Sequence, residues 1–316
     1  MIERAGVREL EDLVILGAGP AGLTAAIYAA RANLRPLLIS RDSGQLASTS
    51  AVENFPSCQS SPDGADIIAS FWQQARGFGA RSLIADVERF DLGAEPGVAY
   101  LAGGGEVRFR ALVVATGAQS RRLEGTPGEA WYFGRGVAGC ATCEGWFFHG
   151  KDVVVIGGGD TAMEEALFLS RICRSVTVVH RRDSFRASKI MAERVLAHPT
   201  ITVRWNSSVL EFGGDSERLT SVSISNSWTE QDEVLAADGA FVAVGQSPNT
   251  EPLRGGPLEL DEAGYVKTRG GTHTNIDFVF AAGDCADRVY RQAITSAGTG
   301  AMAAMDAERY LCHLGC

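Results

Sequence analysis

Two cysteines, Cys140 and Cys143, are separated by Ala141 and Thr142 and followed by Glu144. A Cys-x-x-Cys pair serves as half of a metal site, as a structural staple or as a dithiol–disulfide exchanger. The pair alone does not choose among them. Structural zinc takes four Cys or His ligands, and the nearest histidine is His149, so no metal centre is expected. There are seven cysteines, an odd number, not spaced as the framework of a small secreted domain. Cys58, Cys173 and Cys285 read as small apolar fillers. Cys312 and Cys316 would share a face if the last helix continued, as an extra thiol relay; two unpaired thiols on a frayed end is the favoured reading.

The elements around the pair narrow the choice. Residues 11–40, EDLVILGAGPAGLTAAIYAARANLRPLLIS, read as strand, tight turn, helix and strand. Gly17, Gly19 and Gly22 complete G-x-G-x-x-G, with Pro20 and Ala21 opening the helix over residues 21–32. The first glycine permits the turn, the second lets a pyrophosphate approach, and the third lets helix and strand pack closely. The helix amides then face the phosphates. Residues 151–183 repeat the pattern, with Gly157, Gly159, Asp160, Thr161 and Ala162 forming G-x-G-x-x-A between strands at 153–156 and 176–179. Two dinucleotide sites suggest electron transfer between two cofactors.

The residue ending the second strand of each unit should meet the adenine ribose. These are Ser40 and His180. Arg181, Arg182 and Arg186 follow His180, and arginines here accommodate a 2′-phosphate, which predicts NADPH at the second site. The first site lacks that cluster, although Asp42 lies nearby. Residues 106–114, EVRFRALVV, read as an antiparallel strand that runs into a Thr116-Gly117 stop. Near the end, a buried strand reaches Gly283-Asp284 ahead of a helix of small residues. Asp284 would bind a sugar-alcohol hydroxyl, cap that helix, or both. The expected order is therefore 1–117 and 246–316 for a discontinuous domain, with 118–245 inserted. The fold class is α/β: two Rossmann-like, three-layer dinucleotide-binding domains, one inside the other. Gly-, Ser- and Pro-bearing crossings suit an inserted domain that swivels as a rigid body.

Composition excludes other classes. The chain has 316 residues, 45% hydrophobic and 21% charged, with a formal net charge of −9. No basic excess points to nucleic acid. Residues 13–30 carry no charge, but Gly17, Gly19, Pro20 and Gly22 in their midst favour a strand, turn and buried helix over a membrane span. The start, MIERAGVRELED, is mixed-charge without an apolar h-region, so no secretory signal, no membrane partner and a cytoplasmic location are expected.

Taken together, GAGPAGLTAAIYAARANL, GQL, VENFP, ATGA, CATCEG, GGGDTAMEEA, HRRDSFRA, GQSPNT, FAAGD and YRQAITSAGTG resemble the low-molecular-weight, bacterial-type thioredoxin reductases of the pyridine nucleotide-disulfide oxidoreductases. The likeness runs from about residue 11 to about residue 311. It implies a homodimer with FAD in the discontinuous domain and NADPH in the inserted one. It places Gly44, Gln45, Leu46, Asn54, Thr116, Gly117, Gly283, Asp284, Arg291, Gln292 and Ala293 at FAD with the first glycine loop. It makes Cys140–Cys143 the redox disulfide, Cys143 facing the flavin and Cys140 attacking a thioredoxin or thioredoxin-like protein. Three positions depart from the pattern: Glu144 where Asp is usual, Ser43 where Gly is common, and Gln246 where many relatives have His.

The expected path runs from NADPH through FAD to the disulfide and then to the protein substrate, with Glu144 moving a proton. Nicotinamide and disulfide would take turns at the flavin by rotation of the inserted domain. Two same-fold alternatives dispense with NADPH: a ferredoxin-dependent reductase and a small-molecule dithiol oxidase. Arg181, Arg182 and Arg186 argue against both. A non-catalytic redox sensor or zinc protein is the reading from another class.

Overall fold

The computed structural model describes residues 7–49, 52, 54–56 and 63–315. Cys58 and Cys316 lie outside the described residues. Chain contacts divide the molecule into a discontinuous unit, residues 1–119 and 247–316, and an inserted unit, residues 120–246. The sequence expectation set these joins one or two residues earlier.

The discontinuous unit begins with β1 (Glu11–Leu16), α1 (Pro20–Arg31), β2 (Leu37–Ile39), α2 (Gly64–Gly77), β3 (Arg81–Leu83), β4 (Val87–Asp91), β5 (Gly97–Leu101) and β6 (Glu106–Val114). The short β7 (Ala118–Ser120) is the first crossing. The inserted unit follows with α3 (Glu129–Tyr132), β8 (Val137–Ala138), α4 (Ala141–Glu144), β9 (Asp152–Ile156), α5 (Asp160–Leu169), β10 (Ser175–Val179), α6 (Lys189–Leu196), β11 (Ile201–Arg204), β12 (Ser207–Gly214), β13 (Leu219–Asn226), β14 (Gln231–Ala236) and β15 (Gly239–Val242). The second crossing is β16 (Gln246–Pro248), and β17 (Val279–Ala281) and α7 (Ala293–His313) complete the first unit.

The first unit is built on a seven-stranded sheet ordered β3-β2-β1-β6-β5-β4, with β17 also on β6. Alternation along β1 serves both faces. Leu13 and Ile15 pack with α1 and α7 residues such as Leu23, Ala303 and Leu311. Val14 and Leu16 pack on the other side with Leu37, Ala99, Leu101 and Leu253. That period of two on a doubly covered sheet is why the strand reads as a continuous apolar run. β6 departs from the expected purely antiparallel strand. Its first half pairs antiparallel with β5, while its second half runs parallel to β1 and β17. The sequence carries the change: alternating Glu106–Arg110 gives way to Ala111–Val114, all fully buried.

The inserted unit has a parallel sheet ordered β11-β10-β9-β15-β8 and a three-stranded antiparallel sheet β12-β13-β14. Again β9 alternates. Val153 and Val155 pack with Met163, Ala166 and Val195 of the helices. Val154 and Ile156 pack with Val222, Ile224 and Leu235 of the antiparallel sheet. Helices, parallel sheet and antiparallel strands thus form three layers, and the carboxyl ends of β9 and β10 open on the glycine loop.

Candidate functional site

The first glycine loop connects β1 to α1. Gly17 has φ +109°, and a Cβ there would lie 2.3 Å from the Ala115 carbonyl oxygen. A Cβ on Gly22 would lie 1.9 Å from the Gly17 oxygen, so helix and loop touch through bare backbone. Gly19 caps α1 without any side-chain hydrogen bond, and a Cβ there would meet nothing within 4 Å. Unspent helix amides facing open space are what a pyrophosphate requires. The residues present therefore fit a dinucleotide at this loop.

Other segments of the same unit converge there. Gly44 would bring a Cβ to 3.2 Å from the Gly19 Cα. Gln45 and Leu46 begin a short 3-10 turn, and the Gln45 amide donates to the Ala118 carbonyl. Asn54 Nδ2 donates to Gln292 Oε1 at 3.3 Å. Thr116 and Gly117 present their carbonyls to the side chain and amide of Asn249, both at 3.0 Å. Arg291 has φ +50° and its amide donates to Asp287. Ala293 is the first residue of α7, capped by Gln292.

Asp284 differs from one expectation. It does not cap α7. It lies in a 3-10 turn at Gly283–Cys285 and accepts a hydrogen bond from Ser296 Oγ at 2.8 Å. Burial pushes its carboxyl above the usual range. Asp42 Oδ1 accepts from the Gly44 amide at 3.0 Å and so shapes the turn that leads into Gln45.

In the inserted unit, a cavity of about 470 Å³ is lined by Gly157, Gly158, Gly159, Thr161, His180, Arg181 and Arg186, and also by Arg121, Arg122 and Gly245. Gly159 caps α5 without a side-chain bond and faces open space. The bare helix end and two exposed guanidinium groups fit a nucleotide carrying an extra phosphate. Arg182 is exposed but does not line this cavity. Asp160 is spent on the Ser188 amide, 2.8 Å away. The G-x-G-x-x-A spacing does not mark Gly158, yet a Cβ there would come within 2.2 Å of the His180 ring. His180 is buried, its Nε2–H donates to the Ser184 carbonyl, and it packs on Phe185 and Trp205. Burial first, and then the neighbouring arginines, lower its pKa and so favour the neutral ring.

Cys140 and Cys143 form a disulfide with Cα atoms 5.4 Å apart. Cys140 precedes α4, and Thr142 Oγ1 lies 3.3 Å from its sulfur. Burial pushes the Glu144 carboxyl up to about 7. The Ala141 amide donates to Glu165 Oε1 of α5 at 3.4 Å, a contact no sequence signal announced. Cys173 and Cys285 are buried free thiols, each pushed up to about 11 chiefly by burial, whereas Cys312 is exposed. α7 ends at His313. Among the described residues, no group of three His, Cys, Asp or Glu is arranged to hold a metal, and no helix is long and apolar enough to cross a membrane.

The family model described as pyridine nucleotide-disulphide oxidoreductase matches residues 11–300. A thioredoxin reductase of Streptomyces clavuligerus is 48% identical over 310 residues, 97% of this chain and 95% of its own. A bifunctional thioredoxin reductase/thioredoxin of Mycobacterium leprae is 45% identical, matching 97% of this chain and 67% of its own. The solved thioredoxin reductase from Giardia duodenalis superposes with a TM-score of 0.91 at 42% identity, covering 96% of this chain and 100% of that one.

Proposed function

Because the chain belongs to the pyridine nucleotide-disulphide oxidoreductase family, and within it to the low-molecular-weight thioredoxin reductases, we propose that it carries two electrons from NADPH through FAD to Cys140–Cys143 and on to a thioredoxin. The observation that carries this reading is the placement, in one inserted unit, of a Cys-x-x-Cys disulfide and a nucleotide cavity with Arg181 and Arg186 on its wall. The M. leprae relative, whose name joins reductase and thioredoxin, supports thioredoxin as the partner. The family likeness also supports a homodimer.

Gly17, Gly19, Gly22 and the α1 amides would hold the FAD pyrophosphate, with Asp284 and Asn54 available to its sugar-alcohol and ring hydroxyl and carbonyl groups. Gly157, Gly159 and Thr161 would hold the NADPH pyrophosphate. Arg181 and Arg186 would hold its 2′-phosphate. When bound, the flavin links a hydride donor to a disulfide, since it exchanges electrons with both.

The protein's own sulfur chemistry balances as follows. Two electrons break the Cys140–Cys143 bond and leave sulfurs that share two protons. Glu144, protonated to a large extent near neutral pH, holds a further proton beside them. Cys140 Sγ, as thiolate, attacks the partner disulfide. A bond forms between Cys140 and one partner sulfur, the partner S–S bond breaks, and the other sulfur leaves as a thiolate that takes a proton. Cys143 Sγ then attacks Cys140 Sγ, restoring the enzyme disulfide and releasing the second partner sulfur. The net exchange is one dithiol oxidised and one disulfide reduced.

The two crossings, at Ala118–Ser120 and Gln246–Pro248, supply the short joins that rotation of the inserted unit would use. The reading is tested by steady-state consumption of NADPH with oxidised thioredoxin. Consumption that requires thioredoxin and prefers NADPH over NADH supports it; none with thioredoxin present overturns it.

A further inference from the structure

One carboxylate beside the dithiol has no part in the exchange just described. Glu165 sits in the middle of α5, the helix whose first turn borders the nucleotide cavity. Its Oε1 accepts the amide hydrogen of Ala141, the peptide that directly follows Cys140, at 3.4 Å. Its Oε2 is buried. The attachment continues on the next turn. A Cβ on Gly145 would stand 3.0 Å from both Leu169 Cδ2 and Phe168 Cε1, so the segment after the cysteines lies flush on α5. Ala141, between the cysteines, is completely buried.

We infer that Glu165 is a positioning residue for the dithiol: its carboxylate holds the peptide after Cys140 and, through its charge, restrains that cysteine from becoming a thiolate. When ionised, Glu165 would place a negative charge in a poorly solvated position next to a group that must itself become negative. Like charges at short range disfavour each other's ionised form, and burial weakens the screening. The other titratable groups on the elements packed around the pair include Glu144 of α4, Glu164 on the exposed side of α5, Asp160 at the start of α5, which accepts from the Ser188 amide, and His149, which packs at a tilt against Trp146 after α4. Glu165 Oε1 is hydrogen-bonded to the backbone between the cysteines. The consequence is a trade-off. A less available thiolate slows attack on the partner, but a less stabilised reduced state makes the dithiol a stronger reductant.

The inference deepens the reductase reading and rests on it for its purpose, but its test uses neither NADPH nor thioredoxin. The flavoprotein is reduced with dithiothreitol and desalted anaerobically. Carboxamidomethylation of Cys140 by iodoacetamide is then followed against pH, with peptide mass spectrometry separating it from Cys143 and Cys312. Wild type is compared with Glu165→Gln, Glu165→Met and Glu165→Asp, each checked for retained flavin. Two neutral replacements keep the test usable should one fail to fold. The midpoint of the Cys140 profile should fall by about 0.5 to 1 unit in Gln and Met, and stay within about 0.2 unit of wild type in Asp. Neutral variants that superpose on wild type overturn the inference. So does an Asp variant that shifts as far as Gln, since the effect would then be one of packing. Failure of the reductase reading would appear in turnover, and failure of this inference in the midpoint.

Discussion

The His180 ring lies so close to Gly158 that a single methyl on the glycine would come within 2.2 Å of it. The glycine loop and the end of β10 are thereby locked together, and both line the inserted unit's cavity. His180 is held in turn by the Ser184 carbonyl and by Phe185 and Trp205. Gly158→Ala should displace the ring and distort the wall. The expected result is at least a tenfold rise in KM for NADPH with flavin content unchanged. Steady-state rates measured against NADPH concentration check this, and a wild-type KM in the variant would contradict it.

Arg181 and Arg186 are exposed guanidinium groups on the cavity wall, whereas Arg182 is off it. Replacing Arg181 and Arg186 together with Ala should lower kcat/KM for NADPH about 100-fold while leaving NADH nearly unchanged, because one phosphate loses charge-assisted bonds. Arg182→Ala should change the ratio much less. Parallel kinetics with the two donors measure both. Equal effects from all three arginines would mean that the cavity wall does not discriminate.

Much of this was legible in the sequence. The glycine spacings, the apolar strands and the arginines after His180 announce two dinucleotide folds. What was not legible comes from contacts between distant segments. Gly300 shows no local signature, yet a Cβ there would lie 2.1 Å from the Ala21 carbonyl oxygen, where α7 crosses α1. Glu165 reads as an ordinary helix carboxylate until α4 is placed against α5. Asp284 looked equally suited to capping a helix and to binding a ligand; only the position of α7, starting at Ala293, separates the two. The two halves of β6 pair differently because the first meets β5, its neighbour in sequence, while the second meets β1 and β17, which come from the two ends of the chain.

Gly300→Ala follows from that crossing. The added methyl must push α7 off α1, which carries the first glycine loop. Overpacking of this kind costs about 1 to 3 kcal/mol. The variant should melt several degrees lower and purify with substoichiometric flavin, read by thermal denaturation and by the flavin-to-protein absorbance ratio. Unchanged melting and full flavin content would refute the packing argument.

The Glu144 carboxyl, near 4.5 in the ordinary case, is raised to about 7 by burial. As a proton donor it works below that value, so the thioredoxin-linked rate should fall as pH rises through about 7, and Glu144→Gln should flatten that limb. Stability carries the same sign. The folded state binds more protons than the unfolded one between these two values, so stability is greatest below the unfolded value and declines as pH rises to about 7. The loss is at most about 3 kcal/mol, and Glu144→Gln should recover it at pH 8. Denaturant melts at two pH values test this; a wild type that gains stability across the window would contradict it.

The central claim is that electrons pass from NADPH through a flavin to Cys140–Cys143 and leave through that pair. The most direct measurement is an anaerobic absorbance experiment on wild type and on the Cys140→Ser, Cys143→Ser double variant. NADPH should bleach the flavin in both proteins. Oxidised thioredoxin should then restore the flavin absorbance rapidly in wild type and not in the double variant. Restoration at equal rates in both, or no bleaching by NADPH in either, would contradict the account.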